Sequence, residues 1–319
     1  MRPCLAPLCT LFLALFASAT AAQDGPLRLL VGFPPGGGAD LIARLAAERM
    51  KDTLGVAVVV DNKPGAGGQI AAEQLRLSPP DGRTLMAAPI AVTVIAPLTF
   101  RQLPYDPARD FAPVSQAVNF QLALTVGAGT PAKTLPEYVA WLRADARRGS
   151  YGVPALGSLP HFFGVQFGRA VGVDMSHVPY KGGAPMLNDL VGGAVPAGFD
   201  VLSEAITLHR AGKVRILASS GVKRSPTAGD VPTFAELGYP QVQGDGWFGF
   251  HARAGTPKAV LDRLSAAAAA AIRAPEATAR LLGLGFEPVG SSAEEFARRI
   301  QDDRARWEPV IRASGYVAD

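Results

Sequence analysis

The residues of this chain best suited to chemistry are glycines rather than acids or bases. In residues 27–45, LRLLVGFPPGGGADLIARL, an apolar run from 27 to 33 reads as a buried strand. Two prolines and three glycines then break it, and an amphipathic helix starts near Ala39. A strand feeding a glycine loop into a helix start aims unpaired backbone N–H groups at one spot, where the helix dipole adds roughly half a positive charge. Such a corner holds an anion without a basic side chain. Glycine suits it because a β-carbon would keep a ligand carboxylate off the backbone. The same residues also satisfy a plain tight strand–helix turn, and local sequence leaves both readings standing. Residues 63–68, KPGAGG, repeat the arrangement one unit later.

Other candidates are sparser. Residues 151–161, YGVPALGSLPH, form another strand–loop–helix junction, in which Ser158 either caps the helix or meets a ligand. Asp200 ends an apolar run, where a carboxylate can hold a loop or accept a bond from a ligand. Trp247 opens an aromatic run, WFGF, that reads as a core strand with a possible place on a cleft wall. The four histidines, His161, His177, His209 and His251, lack metal-ligand spacing, and no G-x-S-x-G elbow is present. Ser158, His161 and Asp200 can be assembled on paper into a hydrolase set, but serines and aspartates are plentiful. His177 and His251 read as structural histidines. No catalytic set, metal site or cofactor is expected. Neither glycine loop is a P-loop or a G-x-G-x-x-G, so nucleotides fit poorly.

The elements that must position these loops alternate. Apolar runs at 27–33, 56–60 and 85–88 are interleaved with helical patterns at 41–54 and 70–77, which argues for an α/β fold with a mostly parallel sheet. Ligands in such sheets sit at the carboxyl ends of the strands, where both glycine loops fall. A second series begins at 121–126 and continues with a helix at 135–147, strands at 151–153 and 173–178, a helix at 184–192 and strands at 195–200 and 214–219. Thr256-Pro257 reads as an N-cap with proline at N1, heading a helix through six alanines at 266–271. Ser292-x-x-Glu295 is a capping box for a last helix reaching about Ala313.

The N-terminus reads as a cleavable secretory leader over residues 1–22, with an apolar core at 5–17 and a small-residue site at 19–21. Both cysteines, Cys4 and Cys9, fall inside it. The mature protein then has no thiol, which excludes disulfides and thiolate chemistry and leaves the core to hold it together. The net charge of +4 is spread thinly, with no basic run interleaved with aromatics, so nucleic acid is not an expected partner.

Laid out in order, these segments resemble the tripartite tricarboxylate transporter substrate-binding receptors, the Bug or TctC family of periplasmic solute receptors. The resemblance spans the mature chain. It rests on VGFPPGGGADLIAR, VVVDNKPGAGGQIAAE, PPDGRTLM, LPYDPARDFAPV, HVPYKGGAPMLNDLVGG, Phe199-Asp200, KRSPTAGDVPTFAELGYP and AGTPKAV. It implies a two-lobed Venus-flytrap fold of type II, with residues 24–121 plus 246–319 in one lobe and 122–245 in the other. It further implies a soluble monomer in the periplasm whose cleft takes a small carboxylate through backbone amides and ordered water. Carried over by position, the ligand-binding residues are Phe33, Pro34, Pro35, Gly36 and Gly37, Thr93, Leu156, Gly157 and Ser158, His161 and Asp200. The partners implied are membrane permease subunits or, alternatively, a sensor kinase. Val153-Pro154 and residues 88–93, APIAVT, depart from the hydroxyl-rich family pattern. That departure points to a less polar distal pocket, suited to an aromatic or aliphatic monocarboxylate more than to citrate.

Overall fold

The computed structural model describes residues 25–318; the leader expected over residues 1–22 lies outside them. The strands are β1 (Leu27–Val31), β2 (Val58–Asn62), β3 (Thr84–Pro89), β4 (Phe111–Phe120), β5 (Leu122–Val126), β6 (Ser150–Val153), β7 (Ser176–Pro179), β8 (Ala197–Val201), β9 (Arg215–Ser219), β10 (Gly246–Arg253) and β11 (Glu287–Pro288). The helices are α1 (Gly38–Leu54), α2 (Gln69–Leu77), α3 (Ala96–Thr99), α4 (Pro107–Asp110), α5 (Leu135–Arg143), α6 (Leu159–Val171), α7 (Gly183–Gly192), α8 (Leu202–Arg210), α9 (Lys258–Arg273), α10 (Pro275–Gly283) and α11 (Ala293–Ser314).

Two mixed sheets divide the strands. One runs β11-β4-β10-β3-β1-β2 and the other β7-β6-β8-β5-β9. Each contains three parallel strands, β2-β1-β3 and β7-β6-β8, followed by an antiparallel strand, β10 or β5. The alternating pattern therefore holds for the parallel halves only. The antiparallel strands arise where the chain passes between sheets: a single residue, Gln121, separates β4 from β5, and β9 leads to β10 after a long connection. Gln121 is buried, and its side-chain amide donates to the Lys223 carbonyl and to Glu287. The result is a two-lobed α/β fold.

Local chemistry explains the element ends. β1 stops at Val31 because Gly32 must come so close to Gly68 that a β-carbon on it would lie 2.6 Å from the Gly68 Cα. Gly55 closes α1 in the left-handed region, and the Ser292–Glu295 capping box opens α11. Thr256 does not cap α9. Its hydroxyl donates back to the Arg253 carbonyl, and Pro257 occupies the N-cap position without a side-chain bond. Ala267, Ala268 and Ala271 of the alanine run are buried, so small side chains let α9 pack in one core with α1 and the first sheet. Leu29 and Val31 are fully buried in that core, each side chain contributing about 1.5–3 kcal/mol over an exposed one. A second core runs from the other sheet through α6 and α11.

Candidate functional site

The first glycine turn lies where β1 ends and α1 begins. Pro34, Pro35, Gly36 and Gly37 are exposed, and Phe33 is half-buried. Gly36 takes φ +87°, a left-handed value that turns the chain into the helix. Gly37 is the N-cap and brings no side chain, so no cap covers the first-turn N–H groups of Gly38, Ala39 and Asp40. One expected donor is already engaged: the Gly36 N–H donates to the Asp40 carboxylate at 2.9 Å. The open anion corner is therefore the start of the helix after Gly36.

Asp40 acts as a buckle. It is 2% exposed and also accepts from Arg44 Nε and Asn62 Nδ2, both at 2.9 Å. Arg44 first, and then the Gly36 amide and Asn62, hold its carboxyl down at about 2. Asn62, at the end of β2, also donates to the Phe33 carbonyl at 3.1 Å. Sequence reasoning missed both residues. The signal for Asp40 was an acid four residues past Gly36, one helical turn into α1. Asn62 gave none, because its partners lie 22 and 29 positions away.

The second lobe builds the same device between β6 and α6. Gly157 takes φ +68°, and its N–H donates to His161 Nδ1 at 3.2 Å, again one helical turn ahead. His161 is thus a loop-holding residue: it is 1% exposed, and its ring centroid lies 4.4 Å from that of His177 and 5.4 Å from that of Tyr316. Burial first, and the neighbouring His177 second, push its pKa down to about 4, so it is neutral at pH 7. This helix start differs in one respect. The Ser158 hydroxyl caps the His161 N–H and donates to the Ala155 carbonyl, and Pro160 has no N–H to offer. The α6 turn is largely self-satisfied, whereas the α1 turn is open. Leu156 is exposed beside it.

Asp200, next to last in β8, accepts the Val201 N–H at 2.8 Å on one oxygen, and its other oxygen is buried beside Glu204. A β-carbon on Gly183, the first residue of α7, would lie 2.3 Å from that oxygen and 2.0 Å from Glu204 Oε2. A buried carboxyl, Asp200, and an exposed one, Glu204, thus crowd one helix start. Burial first, and Glu204 second, raise the Asp200 pKa. The side chains of Ser158, His161 and Asp200 do not bond to one another: Ser158 donates to the Ala155 carbonyl, while His161 and Asp200 accept from the Gly157 and Val201 N–H groups. Trp247 is fully buried in β10, where its Nε1 donates to Asp303, so it lines no cleft.

Thr93 lies away from the glycine turns. Residues Ala91–Ile95 form a π-helical turn, whose extra residue per turn shifts the register of the face. Val92 lies against Gly68 and with it the loops, while Thr93 is on the wall of a separate cavity beside His251, with its hydroxyl buried.

A family model described as the tripartite tricarboxylate transporter family receptor matches residues 42–316. The chain is similar to Protein BugT of Bordetella pertussis, with 32% identity over 302 residues covering 93% of this chain and 92% of that protein. Among solved structures it is similar to R. palustris Rpa4515 with adipate, at 35% identity and TM-score 0.79, covering 93% and 99% of the two chains. It is also similar to MatC from Rhodopseudomonas palustris with bound malate, at 30% identity and TM-score 0.74, covering 90% and 99%.

Proposed function

The chain belongs to the tripartite tricarboxylate transporter family of receptors, and on that footing we propose that it is a periplasmic receptor that captures a small carboxylate by main-chain donors. The observation that carries this reading is the uncapped start of α1 behind a turn buckled by Asp40. A carboxylate there accepts from the N–H groups of Gly37, Gly38 and Ala39, directly or through water. Hydrogen bonds to a charged group are worth about 1.5–3 kcal/mol each. Three of them approach the roughly 8 kcal/mol of micromolar binding before closure costs are counted. Adipate and malate in two similar proteins support an acid as the ligand.

The lobes are read as residues 24–121 plus 246–319 and 122–245, with Gln121 and the connection before Gly246 as the crossings. Closure brings the Gly157 turn and Leu156 over the ligand's far side. That side is apolar: Ala88 and Val153 are buried, and so is the Thr93 hydroxyl. An aliphatic or aromatic monocarboxylate suits this better than citrate, and the loaded form is delivered to membrane permease subunits. Calorimetry of the mature protein with hexanoate, benzoate, adipate, malate and citrate tests the reading, with the ligand recovered and checked for chemical change. Tight monocarboxylate binding with unchanged ligand supports it. Tight citrate binding with no monocarboxylate binding contradicts the distal-pocket reading, and a transformed ligand contradicts the receptor reading.

A further inference from the structure

α11 packs along β4 of the first sheet and along α6 over the second. Its Val310 and Ile311 share one core with Leu159, Phe162 and Phe163 of α6. Gly315 ends the helix at φ +68°, and the segment that follows is anchored at both ends. At its start the Tyr316 N–H donates to Ser314 Oγ at 3.1 Å, and that hydroxyl donates to the Ile311 carbonyl at 2.6 Å. At its end Ala318 pairs with Phe100 in a parallel bridge, and its N–H donates to the Thr99 carbonyl at 2.8 Å. Thr99 is the last residue of α3, in the connection from β3 to β4.

Between the anchors, Tyr316 is half-buried against the first turn of α6. Its ring meets those of His161 and Phe162 edge-on, at centroid distances of 5.4 and 5.8 Å. Edge-on aromatic pairs are directional, so each ring limits how the others tilt. The same ring backs the second glycine turn. A β-carbon on Gly157 would lie 2.8 Å from Tyr316 Cε1, 3.0 Å from Cζ and 2.9 Å from the hydroxyl oxygen. Gly157 therefore meets two demands at once: a φ of +68° and a backbone flush against an aromatic ring. His161 ties the two together, because its Nδ1 accepts the Gly157 N–H while its ring packs on Tyr316.

We propose that Tyr316 is a positioning residue of the ligand site, holding the Gly157 turn in its binding shape from behind. In this role, which rests on the Gly157 turn covering the bound acid, Tyr316 touches no ligand itself. The two glycine turns differ in what holds them. The first is buckled by the Asp40 carboxylate, which accepts three bonds. The second has one bond at 3.2 Å to a neutral imidazole, and its Leu156 is exposed. Left at that, the turn would sample many shapes and surrender them on binding; fixed in advance by the Tyr316 ring, it surrenders few.

The test titrates hexanoate and adipate into the mature protein and three variants by calorimetry. Tyr316→Ala should weaken binding about tenfold, the scale of two lost edge-on ring contacts. Tyr316→Phe keeps the ring and should bind as the parent does. Ala318→Pro leaves Tyr316 in place but removes the N–H bonded to Thr99, and should weaken binding about threefold, the scale of one hydrogen bond. Amide hydrogen exchange of the free proteins separates positioning from general weakening. In Tyr316→Ala the Gly157 N–H should exchange about tenfold faster, while the Gly36 N–H, bonded to Asp40, keeps its parent rate. Affinity and Gly157 exchange both unchanged in Tyr316→Ala overturn the proposal. So does an equal affinity loss in Tyr316→Phe, which assigns the effect to the hydroxyl, or equal acceleration at Gly36 and Gly157, which marks general destabilisation. Should Tyr316→Ala fail to fold, Ala318→Pro decides on the same readouts. A parent that binds neither acid overturns the carboxylate-receptor reading and the role of Tyr316 with it; a parent that binds while the variants match it overturns that role alone.

Discussion

Asp40→Asn tests whether the first turn is held in shape rather than merely tolerated. The carboxylate accepts three hydrogen bonds at 2.9 Å, from Gly36, Arg44 and Asn62, while 2% exposed. Its pKa falls from 3.8 to about 2, and at about 1.4 kcal/mol per tenfold that is roughly 2.5 kcal/mol favouring the ionised form. Arg44 is half-exposed, so solvent screens part of its share, and a loss of about 2 kcal/mol is the working figure. Asparagine can keep its oxygen toward Gly36 and Arg44, but its NH₂ then faces the Asn62 donor, so that tie and the charge on the other two bonds are lost. Urea denaturation should show this loss near neutral pH. Because the folded pKa is depressed, the contribution is complete above 3.8 and disappears as pH falls through about 2, so the variant and parent should converge in acid. Calorimetry with the best carboxylate should show weaker binding by on the order of tenfold, as the turn loosens without the charged acceptor and the Asn62 tie. Stability within ~0.5 kcal/mol of the parent, well under a typical hydrogen bond's worth, together with unchanged affinity would refute the buckle.

Three further outcomes follow from the same geometry. Gly37→Val should leave the fold intact, since a β-carbon there meets only the Pro34 carbonyl at 3.7 Å, yet abolish carboxylate binding by calorimetry. Gly36→Ala meets no atom within 4 Å, so its cost is the left-handed backbone alone, about 1–2 kcal/mol by denaturation. Asp200→Asn keeps the acceptor for the Val201 N–H and removes one of two crowded carboxyls. The raised pKa means that the parent loses stability as pH rises above the ordinary carboxylate range, so the variant's advantage should grow from pH 4 to pH 8 in thermal melts.

The parts of this molecule legible in its sequence are those written in short-range chemistry. The β1–α1 junction follows from an apolar run broken by glycine and proline, and the α11 start from its capping box. What stayed hidden depends on partners far along the chain or on register. The antiparallel placing of β5 and β10 is set by the crossing at Gln121, and Asn62 reaches Asp40 only in the folded sheet. Thr93 was carried over by position alone, and position says nothing about a π-turn, which sets Val92 against Gly68. His161 was read as a ligand residue by position, and its Nδ1 accepts the Gly157 amide, a bond the local sequence did not announce.

Backbone amide NMR of the mature protein during titration with a binding carboxylate tests the central claim most directly. The account predicts that the N–H resonances of Gly37, Gly38 and Ala39 move downfield and saturate with the ligand, while Gly36, bonded to Asp40, moves little. Saturable binding that leaves those three resonances in place would contradict it.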